Sequence, residues 1–137
     1  MMRRLVAMGL VASMLGLLGC ASKLENPGRW EEAAHDAAAT VLTDGEVTAR
    51  WQVDGGLGEM RNMVITATAE ASTTDELNVI ADEVEEAVAP AVVDLPDKGA
   101  GLRIVLTGEP GASPPPNIVR TVSLDDLAAK YGLSRGK

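Results

Sequence analysis

The chain has 137 residues and a formal net charge of −8, with 12 Lys and Arg against 20 Asp and Glu. So acidic a balance excludes nucleic acid as a partner and flat attachment to anionic lipid, both of which call for basic patches. The length suits one small domain, and with no Phe, one Tyr and two Trp its core must come from small aliphatic side chains, each burying less area than an aromatic.

Arg3 and Arg4 open the chain, and Leu5 to Leu18 follow without a charge. A positive start and a short apolar run make a secretory leader, because a membrane span needs about 20 apolar residues. The run ends in Leu17-Leu18-Gly19-Cys20, which resembles the lipobox of bacterial lipoproteins. The resemblance covers the first twenty residues only. It implies a signal peptide over 1–19, cleavage between Gly19 and Cys20, a diacylglyceryl thioether on Cys20 and acylation of the new amino group. It also implies a place on the extracytoplasmic face of the cell membrane, or in the outer membrane of an organism that has one. Cys20 is the only cysteine, so it has no intramolecular disulfide partner, and lipidation gives the thiol a purpose. Two acyl chains anchor stably where one does not, each buried methylene contributing about 0.8 kcal/mol. Losing Arg3 and Arg4 with the leader takes the formal charge from −8 to −10. Residues 20–28 then form a tether whose eight residues after the cysteine reach at most about 29 Å.

Beyond Pro27-Gly28, Trp30, Ala33, Ala34, Ala37 and Val41 fall at helical spacing and predict a helix over 29–42. The stretch "EVTARWQVD" alternates, with Val47, Ala49, Trp51 and Val53 on one face and Glu46, Thr48, Arg50, Gln52 and Asp54 on the other. Gly55, Gly56 and Gly58 make a turn, and "MVITATAEA" resumes with Met63, Ile65, Ala67 and Ala69 inward. These two strands predict an antiparallel hairpin. Thr73 and Glu76 read as a capping box opening a second helix. Leu77, Ile80, Ala81, Val84 and Val88 form its apolar stripe, while Asp82, Glu83, Glu85 and Glu86 form its wet side. Pro90 limits that helix or kinks it. A third strand, "LRIVLTG", a stiff loop, "EPGASPPP", and a fourth strand, "NIVRTV", follow. Ser123 caps a short helix over 124–131, Gly132 stops it, and residues 134–137 read as a loose tail.

Residues 29–133 thus make a single small α+β domain with element order αββαββα. An antiparallel sheet of about four strands carries the helices on one face. The segment from Val64 to Val88 is similar to the strand–turn–helix of BON domains, without the glycine which that family carries after its strand.

Chemistry is sparse. His35, the only histidine, shares a helix with Glu31, Glu32 and Asp36. A Glu-x-x-His pair alone falls short of the three or four ligands a metal needs, so neither metal nor cofactor is expected. No Gly-x-Ser-x-Gly elbow occurs, and Ser134 to Lys137 matches Ser-x-x-Lys only in letters. Gly55-Gly56-Leu57-Gly58 lacks the Lys-Ser/Thr of a phosphate loop, and Asp54 and Glu59 beside it lack EF-hand spacing. No catalytic residue is assigned. Two features suit binding: Ser113, Pro114, Pro115 and Pro116, a preformed extended segment that a partner can grip, and the outward sheet face with Thr48, Arg50, Gln52, Thr66, Thr68, Arg103 and Thr107. The expected function is therefore a non-enzymatic, lipid-anchored envelope lipoprotein that docks an envelope protein or a small ligand. Two alternatives stand beside it: a carboxylate-dependent enzyme acting on envelope material, and an accessory subunit joined through an exposed sheet edge.

Overall fold

The computed structural model describes residues 26–43, 46–54, 60–97, 99–109 and 114–135. The expectations for Gly19, Cys20 and Ser113, and for the glycine turn at 55–58, lie outside them. Helix α1 spans Pro27–Ala39. Pro27 stands at its first position, where a missing N–H costs nothing, and Asn26 enters it with φ 57°, a conformation Asn tolerates. It begins and ends earlier than its periodicity suggests. The Thr40 hydroxyl donates to Ala37 O at 2.7 Å, and three backbone turn bonds, from the amides of Thr40, Val41 and Leu42, carry the chain to Leu42.

Strands β1 (Val47–Asp54) and β2 (Met60–Thr68) pair antiparallel, with Trp51 opposite Met63. Helix α2 spans Thr74–Val92. At its start Thr73 Oγ1 accepts from the Glu76 amide at 3.1 Å, and Glu76 Oε1 accepts from the Ser72 amide at 2.7 Å. The carboxylate thus reaches one residue beyond the usual box. Pro90 lies inside the helix. So late in the helix it removes one donor without ending the element. Strands β3 (Ala100–Thr107) and β4 (Asn117–Ser123) pair antiparallel, and helix α3 (Leu124–Lys130) follows at once. Ser123 Oγ caps α3 by accepting from the Asp126 amide at 3.0 Å.

The sheet order is β1-β2-β3-β4, and the element order is αββαββα. The outer pairs are antiparallel hairpins; the central pair, β2 and β3, runs parallel with Ile65 opposite Ile104. Parallel pairing follows from the connection. A chain that leaves β2 and returns through a helix on one face enters its neighbour in the same direction. The fold is α+β, its sheet mixed and mostly antiparallel.

One core lies between the sheet and the helices. Met63, Ile65, Leu102, Ile104 and Leu106 from the sheet meet Leu77, Val84 and Val88 of α2 and Leu124 and Leu127 of α3, all fully buried. Ala34 and Ala38 of α1 and Ala81 of α2 are also fully buried, and such small side chains let two helices approach closely without aromatics. Trp30 and Trp51 flank this core on the α1–β1 side. The inward sets on β1 and β2 keep the parity read from the sequence, as do Leu102, Ile104 and Leu106 on β3, and the three described helices cover that face.

One helix position departs from expectation. Glu85, read as part of the wet side of α2, is 2 % exposed. It sits on the flank of α2 that turns toward β4 and α3, where cations converge on it. The tail read as loose holds Arg135, whose guanidinium donates to Val93 O at 2.9 Å, Leu95 O at 3.1 Å and Asp97 O at 2.8 Å, and to Asp125 Oδ1 at 3.0 Å. Among the described residues, no helix is long and apolar enough to cross a membrane.

Candidate functional site

The face of the sheet turned away from the helices is built in rows by the strand register. Arg50, Val64, Arg103 and Thr121 form one row; Thr48, Thr66, Val105 and Val119 form the next. Neither row holds a carboxylate, although acids outnumber bases in the chain. Arg103 Nε donates to Thr121 Oγ1 at 3.4 Å. Val64 is 7 % exposed on a face that no helix covers among the described residues. Its neighbours across the register are the two arginines, Arg50 and Arg103. Thr48, Arg50, Gln52, Thr66, Thr68 and Thr121 are exposed, and Arg103 and Thr107 are half-buried. The whole outward set read from the alternation is thus brought onto one flat polar surface.

The two margins of the sheet differ. On β1 the Trp51 amide points outward, and Glu31 Oε2 of α1 accepts from it at 2.8 Å. The first margin is therefore guarded by a helix. On β4 the ladder direction follows from the Gly108 amide donating to Pro116 O at 2.7 Å. Antiparallel bonds alternate, so Ile118, Arg120 and Val122 bond inward to β3, while the amides and carbonyls of Asn117, Val119 and Thr121 point outward. Val119 is 58 % exposed.

Behind β4, a buried polar cluster fixes α3. Glu85 Oε1 accepts from Lys130 Nζ at 2.6 Å and from Tyr131 OH at 2.7 Å, with Arg120 Nη1 at 4.0 Å. The hydrogen bond to Glu85 raises the Lys130 pKa above its ordinary value; burial, then the same carboxylate, raises that of Tyr131. Arg120 itself is held by Asp82 Oδ1 at 2.6 Å and by Asn78. A second buried carboxylate, Asp97, accepts from Arg61 Nε at 2.6 Å and from the Gly99 amide at 3.1 Å. Sequence reasoning found neither cluster. The one available signal was Lys130-Tyr131 ending α3 within reach of an acid-rich helix.

The other candidate residues separate. His35 Nδ1 lies 3.4 Å from Asp36 Oδ1, while the Glu31 carboxylate is taken by β1. Among the described residues, no group of three His, Cys, Asp or Glu side chains is placed to hold a metal. Pro114 is exposed, and Pro115 and Pro116 are half-buried at the base of the β3–β4 hairpin. Gly108 is required there: a Cβ would meet Ala71 O at 2.5 Å and Pro116 Cγ at 2.6 Å. Two shallow depressions are lined by described residues alone. One of about 530 Å³ lies between α1 and β1, lined by His35, Leu42, Glu46 and Val47. The other, about 210 Å³, lies at the sheet end by Arg61, Asn62 and Gly101. Neither lining contains a pair of carboxylates. In comparisons with known proteins, no family model, curated protein or solved structure matches this chain.

Proposed function

We propose that the chain is a lipid-anchored lipoprotein of the bacterial cell envelope whose domain is a non-enzymatic docking module working through the uncovered sheet face. The anchor reading is supported by Leu17-Leu18-Gly19-Cys20 behind a charged, apolar leader. The docking reading is carried by one observation: among the described residues, three helices bury one side of the sheet and none covers the other, where Arg50 and Arg103 flank Val64 in a row free of acids. Arginine presents a planar fork of donors suited to carboxylates, so this face fits an acidic patch on a neighbouring envelope protein. A short tether from Cys20 holds the face close to the membrane where such a neighbour stands.

The mass of the native N-terminal peptide tests the anchor. The expected species begins at Cys20 and carries a thioether-linked diacylglyceryl group; an unmodified Cys20 in a chain released to the medium refutes it. Docking is tested by photo-crosslinking from a probe at Thr66 in intact envelopes. The double variant Arg50→Glu, Arg103→Glu loses the crosslinked band while keeping its circular dichroism. An unchanged band refutes the arginine face.

A further inference from the structure

Both margins of the sheet carry outward backbone groups, but at β1 the Trp51 amide is taken by Glu31 of α1, whereas at β4 none is taken among the described residues. Asn117, Val119 and Thr121 aim amides and carbonyls away from β3, and nothing among the described residues accepts from or donates to those backbone groups. The opposite margin is guarded by Glu31 on the Trp51 amide. Proteins commonly blunt an edge with lysine, proline, a bulge or a covering element. Between Asn117 and Ser123, β4 has no lysine and no proline. Its one charge, Arg120, points to the helix side and is held by Asp82 at 2.6 Å. The outward side chains along it are Asn117, Val119, Thr121 and Ser123, all exposed and uncharged.

We infer that β4 pairs with β4 of a second copy, antiparallel about a two-fold axis through Val119, and joins two four-stranded sheets into one of eight strands. The chain itself selects this register. Outward-pointing residues must face outward-pointing residues, so the axis lies at Ile118, Val119 or Arg120. An axis at Arg120 sets two guanidinium groups directly opposite each other, a destabilising arrangement. An axis at Ile118 brings Pro116 opposite Arg120 and shortens the paired strand. The axis at Val119 sets Val119 against its own copy, Asn117 against Thr121, and Ile118 against the stem of Arg120. These are β-branched and hydroxyl–amide pairs of the kind that stabilise antiparallel ladders. The contact is isologous, so it closes at two copies and leaves the guarded β1 margins outermost. The bare faces of both copies then form one continuous surface with two arginine rows.

Disulfide trapping in intact envelopes of the full chain reads the register. At a two-fold pair, residue 119 meets its copy about 5.5 Å away between Cα atoms, within disulfide reach. Residue 121 stands four positions, about 14 Å, from its own copy. Val119→Cys is therefore expected to give roughly tenfold more covalent dimer than Thr121→Cys, and Val79→Cys, on the solvent face of α2, gives no more than the parent chain with Cys20 alone. Equal trapping at 119 and 121, or none at 119, overturns the inference. A second measurement avoids oxidation and does not depend on lipidation. On a two-fold axis any charge faces itself, so Val119→Lys and Val119→Glu full chains each sediment as monomers in detergent, and their equimolar mixture recovers the dimer. Failure of the mixture to pair also overturns it. Because the readout is the mass of the chain, a chain that proves to be unlipidated still answers the question.

Discussion

Glu85 shows what a single side chain contributes to this fold. A carboxylate out of water is costly unless donors replace its hydration, and here Lys130 and Tyr131 both donate to the same oxygen while Arg120 stands behind. Removing one donor leaves the acid buried and underbonded. Tyr131→Phe, which deletes only the hydroxyl, is expected to lower unfolding stability by about 1–2 kcal/mol, read as a shift in urea midpoint at unchanged slope. The pH dependence follows from the same contacts. Both Lys130, ordinarily 10.5, and Tyr131, ordinarily 10.0, have raised pKa values in the folded chain. The unfolded chain therefore releases these protons first as pH rises. Stability from the two groups is fully present below about pH 10 and is lost as pH climbs through the folded values. Thermal melts of the wild type should fall in that window, and those of Glu85→Gln should fall less. A wild-type melt that stays level there would refute the assignment.

Among the elements, α2 depends on residues far from it in sequence. It ends with Pro90 in its last turn, and the carbonyls of Val93, Leu95 and Asp97 just beyond it are all satisfied by the one guanidinium of Arg135. Arg135→Ala leaves three part-buried acceptors without that partner. It is expected to cost about 2 kcal/mol and to speed amide exchange in the 93–97 segment ahead of the sheet amides. Equal exchange in both would show that the arginine adds no local order. These dependencies also mark where sequence reading ended. Periodicity located the helices and strands because one face of each meets the core, and Thr73 and Ser123 announced two helix starts through their own local chemistry. It misplaced Glu85, since α2 is flanked by β4 and α3 as well as lying on the sheet, and its buried arc is wider than an apolar stripe reveals. It gave no hint of Arg135, whose partners lie about forty residues away.

At the scale of the whole molecule, charge is segregated by layer. The helix layer holds most of the acids, and Glu85 within it and Asp97 in the loop after α2 sit inside ion-paired clusters, while the middle of the outward face holds only arginine as a charge. The residues of that face were readable from strand alternation alone. The open β4 margin was not, because which strand stands outermost depends on the order in which strands assemble, and a helical crossover sets that order. The two tryptophans add an optical consequence. Trp30 and Trp51 both belong to the α1–β1 side, and Trp51 Nε1 is buried without a hydrogen-bond partner. Excitation of indole therefore illuminates one flank of the molecule and leaves the α3 flank dark, with only the phenol of Tyr131 there to absorb. Emission and far-ultraviolet dichroism followed together during heating would separate in temperature if α3 peels away before the sheet opens, giving a label-free view of which flank yields first.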